Sequence, residues 1–332
     1  MHKVLVIGTG SIGERHVRCF QATRRAEPAI VEVNEPLRQA VADRYGIRRS
    51  YGDLQAALAE PADVAVVATP APLHVPMAIR LAEAGAHLLI EKPLSTSLEG
   101  IDFLRRMVGE RRLVAGVAYV YRSHPSLAAM RQALAGGRFG RPVQLIAVAG
   151  QHFPTYRPAY RDTYYTSRET GGGAIQDALT HLVNAGEWLI GPVERLVADA
   201  AHQVLEGVAV EDTVHLLTRQ GAALGCYCLN QHQAPNEITV TVVCERGTAR
   251  FEFHHNRWRW MGRPDGAWHD EPTGPLERDS LFIAQANAFL DAVEGKAVPP
   301  CTLDDGVQTL RVNLAALASV DRSAWQSLPT GG

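Results

Sequence analysis

A glycine-rich turn near the start of the chain restricts the fold more than any other feature of the sequence. It comprises Gly8, Thr9, Gly10, Ser11, Ile12 and Gly13. The turn follows an apolar run at residues 4–7 and opens a helical stretch at 12–21. A GxGxxG turn placed between a strand and a helix lets the backbone approach a pyrophosphate, whose charge the helix start favours. Its position therefore predicts a dinucleotide site.

The first 120 residues alternate between short apolar runs and helical patterns. Strands are predicted at residues 4–7, 29–33, 64–68, 87–90 and 113–117, and helices at 12–21, 36–45, 72–84 and 98–108. Strands that alternate with helices of this length form βαβ units around a parallel sheet, with helices on both faces. We therefore predict an N-terminal Rossmann domain with a doubly wound parallel sheet over residues 1–120.

The pattern changes after residue 122. Helices are predicted at residues 125–134, 174–189, 280–293 and 306–319, and strands at 143–149, 210–218, 223–229, 238–243 and 249–253. The later strands are short, alternating and joined by turns, which is typical of antiparallel pairing. We predict a C-terminal α/β domain over residues 121–332 with a large, mostly antiparallel open sheet. Such an open sheet leads us to expect a homodimer or homotetramer packed face to face.

Composition excludes several function classes. The chain of 332 residues is 46% hydrophobic and has a net charge of −2, so neither nucleic acid nor an anionic membrane is an expected partner. No apolar segment reaches the length of a membrane span, and no secretory signal is recognisable. The five cysteines show no CxxC spacing. We expect a cytoplasmic protein with reduced thiols and no bound metal.

The end of the second predicted strand bears on the choice of cofactor. In a Rossmann domain, an acidic residue about 20 positions after the glycine turn bonds the ribose hydroxyls. Here Asn34 stands where an aspartate is commonest, and Glu35 follows it. An asparagine can still bond a hydroxyl, and the Glu35 carboxylate would repel a 2′-phosphate. The sequence therefore favours NAD and leaves NADP open.

Five further segments carry a resemblance that covers nearly the whole chain. They are Arg15-His16, Thr69-Pro70 followed by His74, Glu91-Lys92-Pro93, Arg122-Ser123-His124-Pro125, and the run from Gly171-Gly172-Gly173 through Asp177 to His181. Together with the glycine turn, they resemble the Gfo/Idh/MocA family of sugar and inositol dehydrogenases. The Glu-Lys-Pro element and the run that ends at His181 are the more specific motifs.

This resemblance implies roles for individual residues. It implies that Lys92, Asp177 and His181 face the substrate beside the nicotinamide, and that Lys92-Pro93 is a cis peptide bond. The matching residues Thr69, Pro70, His74, Glu91 and Lys92 join the glycine turn as predicted cofactor contacts. The chain departs from the family at Asn34 and at residues 176–180, where small residues are more usual. The identity of the substrate therefore does not follow from any one relative.

Asp177 and His181 stand four residues apart on a predicted helix and so share one face. Oxidation of a secondary alcohol requires removal of the hydroxyl proton, and histidine has the pKa range of a general base near neutral pH. We assign that role to His181. Asp177 either orients substrate hydroxyls or stabilises the imidazolium, and Lys92 polarises the reacting oxygen. The roles of Lys92 and His181 remain interchangeable at this point.

Two aromatic and basic segments supply further candidates for substrate contacts. The stretch at residues 152–168 is rich in tyrosine and arginine, and we single out Arg161 and Tyr165 from it. Tyr121 and Arg122, at the predicted domain junction, are the stronger pair. For the stretch itself, a contact between subunits or a plain surface loop is an equally good interpretation.

The sequence thus predicts an NAD(P)-dependent oxidoreductase that reversibly oxidises a secondary hydroxyl of a sugar, a sugar derivative or a cyclitol. An imine or pyrrole-type reductase on the same scaffold is the first alternative. A non-catalytic NAD-binding regulator is the second, because a fold does not determine a function. The set of Lys92, Asp177 and His181 favours an enzyme, since a regulator has no need of it. Zinc is disfavoured because Asp177 and His181 supply only two ligands.

Overall fold

The computed structural model describes residues 1–329 and divides into two compact units. The first comprises Met1–Ser123 and Glu277–Val307, and the second comprises His124–Leu276 and the chain from Gln308 onward. The predicted division placed residues 277–307 in the second domain, whereas the structure places them in the first unit. The reason is that helix Ser280–Val293 buries Phe289 and Leu290 in the core of the first unit. An amphipathic pattern predicts such a helix but does not specify what it packs against.

The first unit contains a six-stranded parallel sheet with the order β3-β2-β1-β4-β5-β6. Its strands are β1 (His2–Ile7), β2 (Ala26–Val31), β3 (Ser50–Tyr51), β4 (Val64–Val67), β5 (His87–Ile90) and β6 (Ala115–Val117). Its first five helices are α1 (Ser11–Ala22), α2 (Glu35–Tyr45), α3 (Leu54–Ala57), α4 (His74–Glu83) and α5 (Ile101–Glu110). This order is that of a Rossmann fold, which confirms the predicted fold class.

The second unit contains a nine-stranded sheet with the order β14-β13-β12-β11-β7-β10-β9-β8-β15. Its strands are β7 (Pro142–Gly150), β8 (Arg195–Ala201), β9 (Thr213–Gln220), β10 (Ala223–Asn230), β11 (Glu237–Cys244), β12 (Gly247–Glu252), β13 (Arg257–Met261), β14 (His269–Pro272) and β15 (Gln326–Ser327). Strands β7 and β10 pair in parallel, and every other pair is antiparallel. The prediction of a mostly antiparallel sheet is confirmed, although strands β8, β13, β14 and β15 were missed.

The remaining helices complete both units. They are α6 (Pro125–Ala135), α7 (Phe153–Tyr156), α8 (Thr180–Ile190), α9 (Ser280–Val293) and α10 (Leu303–Arg322). Helices α6 and α8 pack on one face of the nine-stranded sheet, where Leu216 and Tyr227 are fully buried. On the opposite face, Val148, Leu217 and Leu224 are 46%, 49% and 44% exposed. The sheet is therefore open on one side.

None of the helices within residues 1–329 combines the length and the apolar character that crossing a bilayer requires.

Candidate active site

The glycine turn of the first unit has the geometry that its spacing predicts. Gly8 adopts a φ of +84°, a conformation that L side chains rarely adopt. A β-carbon on Gly13 would lie 1.9 Å from the carbonyl oxygen of Gly8. Helix α1 therefore packs directly against the turn, and any side chain at this position would force them apart.

The space in front of the turn fits a dinucleotide. A β-carbon on Gly10 would meet no heavy atom within 4 Å, and Gly10 provides no side-chain cap for the first N–H groups of α1. Thr69 lies beside the turn, since its nitrogen would be 3.2 Å from a β-carbon on Gly8. Its buried hydroxyl has no hydrogen-bond partner within residues 1–329. Helix N–H groups and a hydroxyl that faces no protein acceptor are donors suited to a pyrophosphate.

Glu32, rather than Asn34, contacts the glycine turn. Strand β2 ends at Val31, two residues earlier than predicted, and the side chain of the next residue bonds the turn. One oxygen of the Glu32 carboxylate accepts hydrogen bonds from the Thr9 N–H at 2.8 Å and the Thr9 hydroxyl at 3.2 Å. The other accepts the Asn34 N–H at 3.0 Å. Glu32 follows Gly10 by 22 residues, so the expected spacing of the acidic residue was a signal that pointed to it.

The two residues assigned to the ribose lie elsewhere. The Asn34 side chain caps helix α2, because its Oδ1 accepts the N–H of Leu37 at 3.0 Å. The side chain of Glu35 is 83% exposed in the first turn of that helix, and its nearest cation is Arg38 at 4.0 Å. Helix starts favour both a capping asparagine and an acidic residue, which explains the two side chains without a ligand.

A buried pair supports the backbone of Lys92. Nε2 of His16, on α1, lies 2.7 Å from Oε1 of Glu91, and Oε2 of Glu91 accepts the N–H of Lys92 at 3.0 Å. Burial raises the pKa of the Glu91 carboxyl, but the hydrogen bond from His16 and the charges of His16 and Lys92 bring it below its ordinary value. Glu91 is therefore an ionised structural residue, while the Lys92 side chain is only half-buried.

His74 joins two segments that the sequence analysis assigned to the cofactor. Its imidazole is buried, with Nδ1 at 3.0 Å from the Pro93 carbonyl oxygen and Nε2 at 2.7 Å from that of Thr69. Burial lowers the pKa of His74, and the two carbonyl groups and the Glu91 charge oppose this shift only in part. The predicted cis bond between Lys92 and Pro93 is confirmed. His74 thus holds the Thr69 and Pro93 backbones together.

In the second unit, Asp177 and His181 lie on a helical segment that is not a uniform α-helix. The helix predicted over residues 174–189 is present, but Ile175–Leu179 forms a π-helical turn within it before α8 begins at Thr180. Such turns are rare and frequent at functional sites. Asp177 is 1% exposed and His181 is half-buried, so only the histidine reaches the surface of the unit.

The start of this segment is anchored by Glu211, a buried residue. Its carboxylate accepts the Ile175 N–H at 3.2 Å and the Arg168 Nε–H at 2.8 Å, while its carbonyl accepts the Ala174 N–H at 2.8 Å. These bonds replace the intrahelical partners that the first turn of a helix lacks. The backbone around Asp177 is therefore held from outside the helix.

Helix α8 is in turn attached to α10. The Thr180 hydroxyl accepts a hydrogen bond from Asn313 Nδ2 at 2.9 Å, and Asn184 Nδ2 donates to the Thr309 hydroxyl at 3.0 Å. All four residues are buried. Buried amide and hydroxyl groups with satisfied hydrogen bonds fix the register of two helices. Asp177 and His181 therefore project from a rigid support.

Sequence reasoning missed two residues that contact Asp177. The Tyr164 hydroxyl donates to Oδ1 at 2.7 Å, and Arg157 Nη1 donates to Oδ2 at 3.2 Å. Both residues belong to the tyrosine- and arginine-rich stretch, but the composition of that stretch did not indicate which side chains turn towards Asp177. No local signal identifies them, because the contacts depend on how the stretch folds back.

Arg161 and Tyr165, chosen from the same stretch, contact other groups. Arg161 is exposed, and it donates to the Tyr160 hydroxyl at 3.0 Å and to Glu206 at 3.3 Å. Tyr165 is 2% exposed, and its hydroxyl donates to Gln231. Burial raises the pKa of Tyr165. Within the second unit, Arg161 is a surface residue and Tyr165 a core residue.

The two candidates at the predicted junction belong to the first unit. Arg122 is buried, and its Nη1 donates to the Pro300 carbonyl at 3.1 Å and to the Asp305 carboxylate at 3.0 Å. Burial raises the pKa of Asp305, but the charge of Arg122 and the hydrogen bonds from Thr302 and Arg122 bring it below its ordinary value. Arg122 thus attaches residues 300–305 to the first unit, and Tyr121 beside it is half-buried.

Two family models match this chain. Residues 2–119 match the Gfo/Idh/MocA oxidoreductase family, NAD-binding Rossmann fold, and residues 127–250 match the C-terminal domain of the same family. The first model covers the part of the chain that contains the glycine turn, Thr69 and Lys92. The second covers the part that contains Asp177 and His181.

Individual relatives are similar to this chain over nearly its whole length. An uncharacterized oxidoreductase of Rhizobium meliloti is 36% identical, with 97% of this chain and 98% of the relative covered. Levoglucosan dehydrogenase of Pseudarthrobacter phenanthrenivorans is 25% identical, with 98% and 97% covered. A solved structure of levoglucosan dehydrogenase with NADH and levoglucosan has the same fold, with a TM-score of 0.89 at 23% identity over 99% of this chain and 100% of that one. The chain therefore belongs to the Gfo/Idh/MocA family of NAD-binding oxidoreductases.

Proposed function

We propose that the protein is an NAD-dependent dehydrogenase that reversibly oxidises a secondary hydroxyl of a neutral sugar, sugar derivative or cyclitol. The observation that carries the proposal is the placement of a buried carboxylate, Asp177, four residues before a half-exposed His181 on one anchored helical segment. The covered length and identity of levoglucosan dehydrogenase support a sugar-like substrate.

The first unit would hold the cofactor. The N–H groups at the start of α1 and the Thr69 hydroxyl would bind the pyrophosphate, and Glu32 would accept a hydrogen bond from the adenosine ribose. The Glu32 carboxylate would repel a 2′-phosphate, which supports NAD over NADP. Bound NAD supplies the acceptor for the hydride.

Three side chains would act on the alcohol. His181 would accept the hydroxyl proton as the C–H bond breaks, Lys92 would donate a hydrogen bond to the oxygen as negative charge develops on it, and Asp177 would orient the neighbouring hydroxyls. The proton then resides on the His181 imidazole, and the electron pair of the C–H bond leaves with the hydride. In the reverse direction, the same imidazolium returns the proton to the carbonyl oxygen.

A fluorescence assay tests this proposal against its alternatives. The purified protein is mixed with NAD⁺ and a panel of sugars, anhydrosugars, sugar acids and inositols, and NADH formation is recorded. We expect the wild type to oxidise at least one polyol. The Asp177→Asn and His181→Ala variants should oxidise it at no more than about a hundredth of the wild-type rate. Cofactor binding without turnover on any member would support the non-catalytic regulator instead. In a separate assay with NADH and a cyclic imine, NADH consumption without turnover of any polyol would support the reductase.

We also propose that the open face of the nine-stranded sheet pairs with a second copy of the chain as a dimer or tetramer. The exposed Val148, Leu217 and Leu224 form the apolar part of that face. Exposed apolar side chains on one face of a sheet are typical of contacts between subunits. Sedimentation velocity should show an oligomer for the wild type and a monomer for Leu217→Arg, and a monomeric wild type would refute this assignment.

A further inference from the structure

The Asp177 carboxylate lies behind two side chains that reach it from one segment, residues 151–170. Asp177 is 1% exposed, whereas Tyr164 is 41% exposed and the side chain of Arg157 is 51% exposed. Tyr164 donates to one carboxylate oxygen and Arg157 to the other. The two donors therefore stand on the solvent side of a carboxylate that has almost no exposure of its own.

The segment holds Tyr164 in a defined position. The next residue, Tyr165, is buried in an apolar cluster with Phe153, Tyr160, Leu205 and Val210. The carbonyl of Tyr164 accepts a hydrogen bond from the Thr170 hydroxyl at 2.5 Å. A buried neighbour and a bonded carbonyl fix the backbone of Tyr164, so its hydroxyl meets Asp177 at little entropic cost.

Arg157 is held by the start of the same segment. The guanidinium of Arg157 lies 5.2 Å from the centre of the Phe153 ring. The backbone N–H of Arg157 donates to the Phe153 carbonyl at 2.7 Å. Phe153 is itself buried in the apolar cluster. Both donors to Asp177 are therefore attached to the same apolar cluster, Arg157 through Phe153 and Tyr164 through Tyr165.

A buried carboxylate needs such partners. An unpaired charge is costly to bury, and hydrogen bonds from charged or polar donors offset that cost. The Tyr164 hydroxyl bonds Oδ1 and Arg157 bonds Oδ2, so each carboxylate oxygen has a donor. Two donors on different oxygens fix the plane of the carboxylate, and the Arg157 charge balances that of Asp177. A carboxylate with a fixed plane and a balanced charge suits the orientation of hydroxyls on a neutral polyol.

We propose that Tyr164 and Arg157 are positioning residues that set the orientation of Asp177 towards the substrate and select neutral polyols. This inference rests on the proposed function, because it takes Asp177 as the residue that orients substrate hydroxyls. Neither residue acts on the reacting oxygen itself.

The test of Tyr164 uses a matched pair of variants. Tyr164→Phe removes the hydroxyl that bonds Asp177. Tyr156→Phe removes a tyrosine hydroxyl from the same segment, and Tyr156 is 52% exposed against 41% for Tyr164. With the best polyol of the panel, we expect kcat/KM to fall about tenfold in Tyr164→Phe, the effect of losing a hydrogen bond to a charged group. The KM for NAD⁺ should stay within twofold in both variants, and Tyr156→Phe should match the wild type. A wild-type kcat/KM in Tyr164→Phe, or an equal fall in both variants, would overturn the proposal.

The test of Arg157 separates its charge from its bulk. We expect Arg157→Lys to retain most of the wild-type kcat/KM, whereas Arg157→Met should lose about tenfold, because only the lysine keeps a charge that compensates Asp177. A general loss of packing would affect the two variants alike, so equal losses would count against a positioning role.

A readout independent of turnover distinguishes this inference from the proposed function. Amide hydrogen exchange in residues 151–170 should accelerate in Tyr164→Phe and in Asp177→Asn. The variant that carries both substitutions should exchange no faster than either single variant, because each substitution removes the same Tyr164–Asp177 contact. If the wild type oxidises no polyol but this exchange pattern appears, the proposed function fails while the contact stands. Exchange that is unchanged in Tyr164→Phe refutes the inference even if the wild type is active.

Discussion

The cofactor turn and the Asp177 segment are built in different ways. The turn is made of backbone geometry, through the φ of Gly8 and the contact of Gly13 with the Gly8 carbonyl, within six consecutive residues. Asp177 depends on side chains from distant positions, since Tyr164 lies 13 residues and Arg157 lies 20 residues before it. A local backbone motif can be identified from its spacing alone, whereas side-chain partners depend on how the intervening chain folds.

Glu32 shows that this contrast also holds inside the first unit. It is a side chain that contacts a backbone motif. The spacing of about 20 residues fitted Glu32, but the ribose contact was assigned to Asn34 and Glu35 because Asn34 stands where an aspartate is commonest. Side-chain contacts were thus the weaker part of the prediction in both units.

The largest effect is expected from a side chain placed in the backbone turn. Gly13→Ala would bring a β-carbon to 1.9 Å from the Gly8 carbonyl oxygen. We expect the free energy of unfolding to fall by about 3 kcal/mol or more, the upper range for overpacking. Urea denaturation followed by circular dichroism measures it.

Gly10→Ala is the matched control, because the added carbon meets no heavy atom and the φ of Gly10 is −58°. Its stability should stay within about 0.5 kcal/mol of the wild type, while NAD⁺ affinity falls since the methyl group occupies the space for the pyrophosphate. If Gly13→Ala and Gly10→Ala were equally stable, the conclusion that Gly13 is required for packing and Gly10 for ligand binding would be wrong.

The next largest effect tests the side-chain half of the comparison. His181→Ala should lower kcat at least about 100-fold, the usual contribution of a general base. His255→Ala, in the exposed turn after strand β12, serves as the control and should retain the wild-type rate. Steady-state NADH formation at saturating polyol measures both variants. Full activity of His181→Ala would remove it from the mechanism.

Glu32→Ala tests the side chain that contacts the glycine turn. Loss of a hydrogen bond that involves a charged group should raise the Kd for NAD⁺ about tenfold. The preference for NAD⁺ over NADP⁺ should also decrease, because the repulsive carboxylate is gone. Glu35→Ala should change neither value, since its side chain is 83% exposed. Fluorescence titration of both variants with NAD⁺ and NADP⁺ measures these values. A larger effect in Glu35→Ala than in Glu32→Ala would support the sequence-based assignment of Glu35 to the ribose.

The smallest effect is expected at Arg161. Its guanidinium already bonds Tyr160 and Glu206 at the surface of the second unit. Arg161→Ala should therefore leave the KM for the polyol within about twofold, as surface substitutions usually do. A tenfold rise in this KM would instead indicate that Arg161 contacts the substrate, and that the segment around Tyr165 lies at the substrate site.

The antiparallel sheet illustrates the same limit at the level of the fold. Strands β9 to β12 follow from alternating apolar residues, which is a property of each strand alone. Strand β13 was missed although Arg257–Met261 alternates basic and apolar residues, whereas β14 (His269–Pro272) is polar and exposed, so its membership in the sheet depends on pairing with β13. Likewise, residues 280–293 were predicted as a helix, but their packing in the first unit was not.

The sequence by itself determined the Rossmann half, the mostly antiparallel second sheet, the glycine turn and the family, because periodicity and motif spacing are local properties of the chain. Only the tertiary structure decided that Glu32 faces the turn, that Asp177 lies in a π-helical turn, and that Tyr164 and Arg157 bond its carboxylate. Hydrogen bonds of buried polar groups are satisfied by whichever segments the packing of the core brings together, and no local pattern records that outcome.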